Sequence, residues 1–403
     1  MKASFLVTCA LIGLAAALPA QDTTSSAPDT GYVEYKESPI SLPLGIGLRI
    51  PSYDRVNGLA LPWGPKLEVG DGKLELDALV TYRSNLGKWD PSLEGTLRPD
   101  DADEIKLHVG RGTFTNDSWI RSDLANSLAA LGVGSDSRNY FRADRASARL
   151  THTLTTGAFT LTPFIGGQFE RDWSTGSIVP PKSPWSFFGR KGVLSMKRAN
   201  PRVKTGHISS LLAGSGVALS RGGVEAKLDA TVEHSFNTSL RADCSGFPTD
   251  AACAMAPLNF TQTTLHTQVD FPTFGSQTFS FLGHAVLGTG NIAPPQRFAY
   301  LGGSGTLATV NLLALGGDHL LYVQADYIVP LDRVQLPIVG SPFVGLRYSA
   351  GNAGQGTLPP LIQNLGLGAG VSLFRADYSI DPARNRSPFS RKSAFSFGLS
   401  LPM

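Results

Sequence analysis

Between Lys73 and Arg83 the chain alternates in a way that dictates a shape. Leu74, Leu76, Ala78, Val80 and Tyr82 fall on one face of an extended segment, and Lys73, Glu75, Asp77, Thr81 and Arg83 on the other, with only Leu79 out of place. Side chains of a strand alternate sides with period two, so each face meets a single environment. The same partition returns in Val224, Ala226, Leu228, Ala230 and Val232 against Glu225, Lys227, Asp229 and Glu233. It returns again in Phe395, Phe397, Leu399 and Leu401, and in Leu365, Leu367, Ala369, Val371 and Leu373 against Gly366, Gly368, Gly370 and Ser372.

A bilayer offers backbone groups no hydrogen-bond partners, so a sheet crosses it only when closed on itself, apolar outside and polar within. Spanning strands need about 9–11 residues, which these segments have. A soluble sandwich also alternates, but its strands usually run about 5–6 residues, and it leaves the many charges on the second face unexplained. The pattern therefore predicts an all-β fold: a closed antiparallel transmembrane β-barrel of roughly twelve to sixteen strands. The expected location is the outer membrane of a diderm bacterium, with its lipids as the first partner.

The ends fit export. Met1-Lys2, the apolar stretch Phe5 to Leu18 and the exit Leu18-Pro19-Ala20 read as a signal peptide over 1–20. Cys9 sits inside that stretch, and the apolar run continues past it. Residues 21–57 are expected to form a periplasmic lead and 58–403 the barrel. Cys244 and Cys253, in a stretch with Gly246, Pro248 and Asp250, suit a loop disulfide in an oxidising compartment. Their spacing matches no zinc site, and neither metal nor cofactor is expected. A net charge of +3 over 403 residues gives no case for nucleic acid. The run Arg190, Lys191, Lys197, Arg198, Arg202 and Lys204 reads as a solvated loop, with contact to anionic headgroups as the alternative. Turns are expected at Gly70-Asp71-Gly72, Arg221-Gly222-Gly223 and Gly316-Gly317-Asp318. Strands are expected at, among others, Leu59 to Leu67, Leu307 to Leu315 and Leu365 to Tyr378.

The C-terminal third, about Pro295 to Met403, resembles the bacterial surface antigen superfamily, the barrels of outer-membrane assembly factors and two-partner-secretion transporters. The likeness rests on Pro295-Gln296-Arg297-Phe298-Ala299-Tyr300-Leu301-Gly302-Gly303 with Thr306-Leu307, which is similar to that family's lumen loop. It continues in Ala325-Asp326-Tyr327-Ile328-Val329-Pro330-Leu331, Ala350-Gly351-Asn352, the glycine-alternating strand and Asp381, with a weaker echo in Arg55-Val56-Asn57-Gly58-Leu59. The resemblance implies sixteen strands, a loop motif of Arg297, Phe298, Gly302, Gly303 and Leu307, and lumen-facing Asp326, Gly366, Gly368 and Gly370. The family's arginine, glycine and aromatic residue at the loop tip are replaced by Ala308, Thr309 and Val310, and its aspartate before Gly351 by Ser349. Both members of the family's lumen ion pair are thus absent together, and neither is left unpaired. The short segment 21–57 is also expected to leave no room for periplasmic binding domains.

Three functions fit this frame. One is protein or lipid assembly or translocation at the outer membrane, with an unidentified protein client or periplasmic partner. There the glycines either let a folded-in loop approach the wall or relieve crowding in a curved strand. The second is a passive pore lined by Glu75, Asp77, Glu225, Lys227, Asp229 and Glu233. The third is a lipid hydrolase using His207 and Ser209, two residues apart on one strand face. His207-Ile208-Ser209 resembles the His-x-Ser site of outer-membrane phospholipases, but the Asn-Gly that follows it there is Ser210-Leu211 here, so no catalysis is expected. Lumen hydrogen bonding is the expected role of His266 and His284. Where the segment Pro295 to Val310 lies, inside the lumen or outside it, separates a plugged barrel from an open one.

Overall fold

A computed structural model describes residues 40–175, 185–187, 196, 198–241, 256–335, 341–371, 374–383 and 388–399. Twenty strand segments form one antiparallel sheet. Four short segments continue a neighbour past a kink or bulge, so the described residues make sixteen consecutive staves, the number the resemblance implies. They are β1 (Ile40–Ser41 continued by Ser52–Asp54), β2 (Gly58–Trp63 continued by Lys66–Val69), β3 (Leu74–Arg83), β4 (Lys88–Leu97) and β5 (Asp103–Phe114). The helix α1 (Asp123–Val133) follows, and then β6 (Phe141–His152 with Leu154–Thr156), β7 (Phe159–Trp173), β8 (Thr205–Arg221), β9 (Val224–Arg241) and β10 (Phe260–Pro272, with Ala256–Pro257). The last are β11 (Thr278–Gly290), β12 (His319–Pro330), β13 (Pro342–Gly354), β14 (Ile362–Val371), β15 (Phe374–Ile380) and β16 (Ser393–Leu399).

The faces segregate inside out. Leu107, Val109, Ile165, Leu367 and Phe397 stand exposed on the outer surface, Leu367 by 66%, while Asp90, Glu170, Asp326 and Arg375 are buried. A soluble protein places these residues the other way round; a wall bathed in lipid requires this arrangement. The hairpins at one end are tight. In the turn between β2 and β3, Gly70, Asp71 and Gly72 all take positive φ, which glycine adopts without steric cost. At the other end the connections 115–140, 174–204 and 291–318 are long, and the long-loop end of such barrels is extracellular.

Four expectations need correction. The sheet begins at Ile40, well before Gly58: β1 runs through the expected lead segment and is broken by a 3-10 turn at Pro43–Gly45, which hides its alternation. The stretch Leu365 to Tyr378 is two staves, because the register turns over between Val371 and Phe374. Leu307 to Leu315 is no stave; only Leu315 enters a strand, in the short lumen hairpin described below. Gly316-Gly317 belongs to that same hairpin and makes no reversal between staves. The helix α1 had no counterpart in the strand pattern, yet its ends are written plainly. Ser122 accepts from the Ala125 N–H at its start, and Gly134 closes it in the left-handed conformation.

Candidate functional site

The connection from β11 to β12 turns back into the barrel. It begins with a 3-10 turn, Pro295–Arg297, and makes a two-stranded hairpin of Ala299–Leu301 with Leu315–Gly317. At its base Arg297, almost fully buried, pairs through Nε with Glu233 Oε2 of β9 at 2.9 Å and through Nη2 with Glu170 of β7. Glu170 is also paired with Arg145 of β6, and Ser210 of β8 donates to Glu233 at 2.6 Å. Gln296 donates from Nε2 to Asp172 Oδ2, and Gln262 of β10 donates to the Arg297 carbonyl. Five consecutive staves are thus fastened to one turn. Removing one partner of a buried ion pair costs about 3–5 kcal/mol, so this base is a strong anchor.

The loop carries its own core. Leu301, Leu307, Val310 and Leu315 pack with Leu282, Leu320, Tyr322 and Ile362, all buried. Gly302 and Gly303 take positive φ, and a Cβ on Gly303 would crowd Leu312; their N–H groups bond to Thr306 Oγ1, Leu307 O and Val310 O. The tip is held by neutral groups. Thr309 N–H donates to Asn364 Oδ1 of β14 at 3.0 Å, Asn364 Nδ2 donates to Thr309 Oγ1 at 2.8 Å, and Arg391 N–H donates to the Thr309 carbonyl. Tyr322 and Ser349 both donate to the Thr306 carbonyl. Ser349 of β13 thus touches the loop. Staves from β6 to β14 meet through this loop, so the sheet is curled around it.

A second lumen cluster unites the remaining expected site residues. Asp326 of β12 accepts from Arg347 Nε at 2.8 Å and from Arg375 Nη2 at 3.2 Å, and Arg375 Nε donates to Asp377 Oδ1 at 2.8 Å. The glycines make room for it: a Cβ on Gly368 would meet Asp377 and lie 3.1 Å from Arg375 Nη2, and one on Gly366 would lie 2.9 Å from Ser379 Oγ. Gly370 similarly yields to Phe343. The space is filled by the wall's own side chains, not by the loop.

Above the loop lies a cap built from α1 and its flanking segments. Asn116 donates to the carbonyls of Gln296 and Phe298, and Arg121 to Ser304 Oγ, tying cap to loop. Asp117 is buried and accepts from the Asn139 N–H at 2.7 Å. Burial pushes its carboxyl up to about 7 against the pull of the Asn139 and Tyr300 N–H groups and of Arg198 and Arg138. Arg198 donates to the Asn139 side chain and the Arg138 carbonyl, and burial together with Arg55 lowers it to about 10. It is built into the cap and is not a freely solvated loop residue; Arg190, Lys191 and Lys197 lie outside the described residues.

His207 and Ser209 share no hydrogen bond: His207 is exposed and its ring stacks on Phe169, and a register shift falls at Ser209/Ser210. His266 and His284 do face each other in the lumen, 5.6 Å apart, but both Nδ1 atoms lack hydrogen-bond partners. Trp119 stacks on His284 at 4.1 Å. Among the described residues no three His, Cys, Asp or Glu side chains are grouped to hold a metal. Cys244 and Cys253 lie outside the described residues. Glu170 and Asn364 escaped the sequence reading, and so did the contact that Thr309 makes at the loop tip, because each is an ordinary polar residue on a polar strand face or loop; only the fold brings partners 55 to 127 positions apart together.

No family model and no curated protein sequence matches the chain. Among solved structures it is similar to BamA from Haemophilus ducreyi lacking POTRA domains 1-3, at 10% identity over 86% of this chain and 68% of that one, with a TM-score of 0.50. It is also similar to CdiB from Escherichia coli, at 11% identity over 90% of this chain, TM-score 0.45, and to CdiB from Acinetobacter baumannii, at 13% identity over 87%, TM-score 0.44. The chain spans about three fifths of the length of those CdiB structures. The protein is an outer-membrane β-barrel, and its fold is the one seen in the BamA structure.

Proposed function

We propose that the protein is a plugged barrel for handling polypeptides at the outer membrane, assembling or translocating them, and that the state described is its closed state. The observation that carries this reading is the placement of residues 295–317 inside the lumen, tied at the base by Arg297 to Glu170 and Glu233. A diffusion pore of this width would be expected to keep its lumen water-filled, whereas here an apolar loop core occupies it. The mixed charges Glu225, Lys227 and Asp229 then line a vestibule below the plug.

Two measurements test the reading. In planar bilayers the intact protein is expected to be silent apart from brief openings, and a variant with residues 299–316 replaced by a short Gly-Ser link to conduct steadily; steady conductance of the intact protein contradicts the plug. In the producing cells, deletion of the gene is expected to deplete particular surface or secreted proteins, with restoration by the intact gene. Unchanged outer-membrane and secreted protein profiles, with altered uptake of small solutes, would favour the passive pore.

A further inference from the structure

The helix α1 is as inverted as the barrel wall. Asn126, Ala129 and Ala130 are buried, while Leu124 and Leu128, one turn apart, are exposed by 55% and 40%. Asn126 donates to Asp136 Oδ1 and Tyr140 Oη and accepts from Ser137, so the inner face of the helix holds a hydrogen-bonded amide beside two alanines while its large apolar side chains Leu124 and Leu128 point outward. The exposed apolar face does not end at the helix. Phe187 N–H donates to the Leu131 carbonyl, and Trp185 exchanges hydrogen bonds with the Tyr53 hydroxyl of β1 through both its N–H and its carbonyl. Trp185 and Phe187 are themselves exposed and meet edge to face at 4.3 Å. Leu59 of β2, directly opposite Tyr53, is exposed too, as are Trp63 further along β2 and Ile50 three residues before Tyr53.

The position of α1 gives this pattern a meaning. Among the described residues β1 pairs only with β2 and β16 only with β15, and α1 packs against both β1 and β16. The Tyr53 N–H, on the edge of β1 that no strand covers, donates to Ser127 Oγ of α1 at 2.7 Å. A strand edge left bare beside lipid would carry unsatisfied backbone groups; here a helix, whose own backbone is satisfied internally, supplies the partner. An exposed apolar patch on a helix whose inner face holds a hydrogen-bonded amide marks a surface meant for a non-aqueous partner.

From this arrangement we infer that α1 is a lipid-facing stave. It seals the seam between β1 and β16 at the extracellular end, with Leu124 and Leu128 in the acyl chains of the outer leaflet and Trp185 and Phe187 beside them. The inference concerns the wall and does not depend on what the lumen handles.

The test places a nitroxide label at Leu124→Cys, and separately at Leu128→Cys, in the protein reconstituted into phosphatidylethanolamine/phosphatidylglycerol vesicles, with Cys244 and Cys253 replaced by serine. Leu367→Cys serves as the lipid-facing reference and Asp71→Cys as the aqueous one. Collisions with oxygen relative to a water-soluble nickel chelate are expected to be several-fold higher at both helix positions than at Asp71→Cys, approaching Leu367→Cys. A ratio like that of Asp71→Cys overturns the inference. So does spin–spin broadening that grows with protein-to-lipid ratio, which would assign the patch to a second copy of this chain.

Discussion

Glu170 and Glu225 both belong to the polar faces of lumen strands, yet Glu170 is wholly buried between Arg145 and Arg297, whereas Glu225, near the periplasmic turn of β9, is exposed. The same contrast separates the anchored lumen from the periplasmic ends of β2 to β5. In the anchored lumen, charges are dehydrated and committed to named partners: Asp90 to Arg83 and Arg142, Arg297 to two glutamates. At the periplasmic ends of β2 to β5, Glu75 shares Lys66 and Arg98, and Glu104 shares Lys106, all partly open to water, whereas toward the periplasmic ends of β12 and β15 Asp326, Arg375 and Asp377 are buried in one paired cluster. Residue types are alike in these regions; what differs is whether water has been expelled, by the loop around Arg297 and by the wall's own side chains around Asp326. Dehydration turns a charge pair from a weak surface contact into an all-or-nothing element, and that separates the plug from the open vestibule beside β2 to β5.

The sharpest way to break this contrast is Arg297→Ala. It strands Glu233 and leaves Glu170 to Arg145 alone, so unfolding in detergent, followed by heat-dependent gel mobility, is expected to show a loss of about 3–5 kcal/mol, with frequent channel openings. An unchanged midpoint would mean the base turn is not an anchor.

Next in size is Gly368→Val. It drives a side chain into the Arg375–Asp377 pair, and overpacking of this kind costs about 1–3 kcal/mol; Ala369→Val on the lipid face, one residue on, is expected to change the same midpoint little. Equal effects at the two positions would contradict the inward assignment of the glycines.

A smaller effect is expected from pH. The Asp117 carboxyl is raised from 3.8 to about 7 by burial, so the folded cap holds that proton more tightly than the unfolded chain. Its contribution to cap stability is full below about pH 4 and is lost as pH rises through about 7. Openings of the intact protein are therefore expected to be more frequent at pH 8 than at pH 5, and the frequency in Asp117→Asn to be nearly level over that range. A pH dependence that survives the substitution would assign it elsewhere.

Smallest of all is Lys227→Gln in the vestibule. Exposed charge changes are usually worth within about 0.5 kcal/mol, and the stability midpoint is expected to stay in place while conductance of the loop-deleted barrel shifts slightly with salt.

Much of the wall was legible because bilayer and lumen impose opposite demands on alternate residues: β3, β9 and β14 announce themselves through Leu74 to Tyr82, Val224 to Val232 and Leu365 to Val371. Arg297, Gly302, Gly303 and Leu307 were legible as a motif, and they fall together in the lumen loop. Three things were hidden. β1 is broken at Pro43–Gly45 and shows no period. The helix α1 carries Leu124 and Leu128 on its exposed face and Asn126 on its buried one, so it shows neither the period of a strand nor the inward apolar stripe of a surface helix. The contacts of Thr309 and Asn364 are made by neutral groups far apart in sequence, where no charge pattern betrays a pairing.

The most direct test of the plug is a disulfide between its tip and the wall, made with Thr309→Cys and Asn364→Cys in a background with Cys244 and Cys253 replaced by serine. With the loop seated in the lumen, the two thiols are expected to join nearly quantitatively when the outer membrane is isolated under mild oxidation, and the linked barrel to stay silent in bilayers until reductant is added. Free thiols at both positions in a correctly folded barrel, or a linked barrel that conducts steadily, would contradict the account.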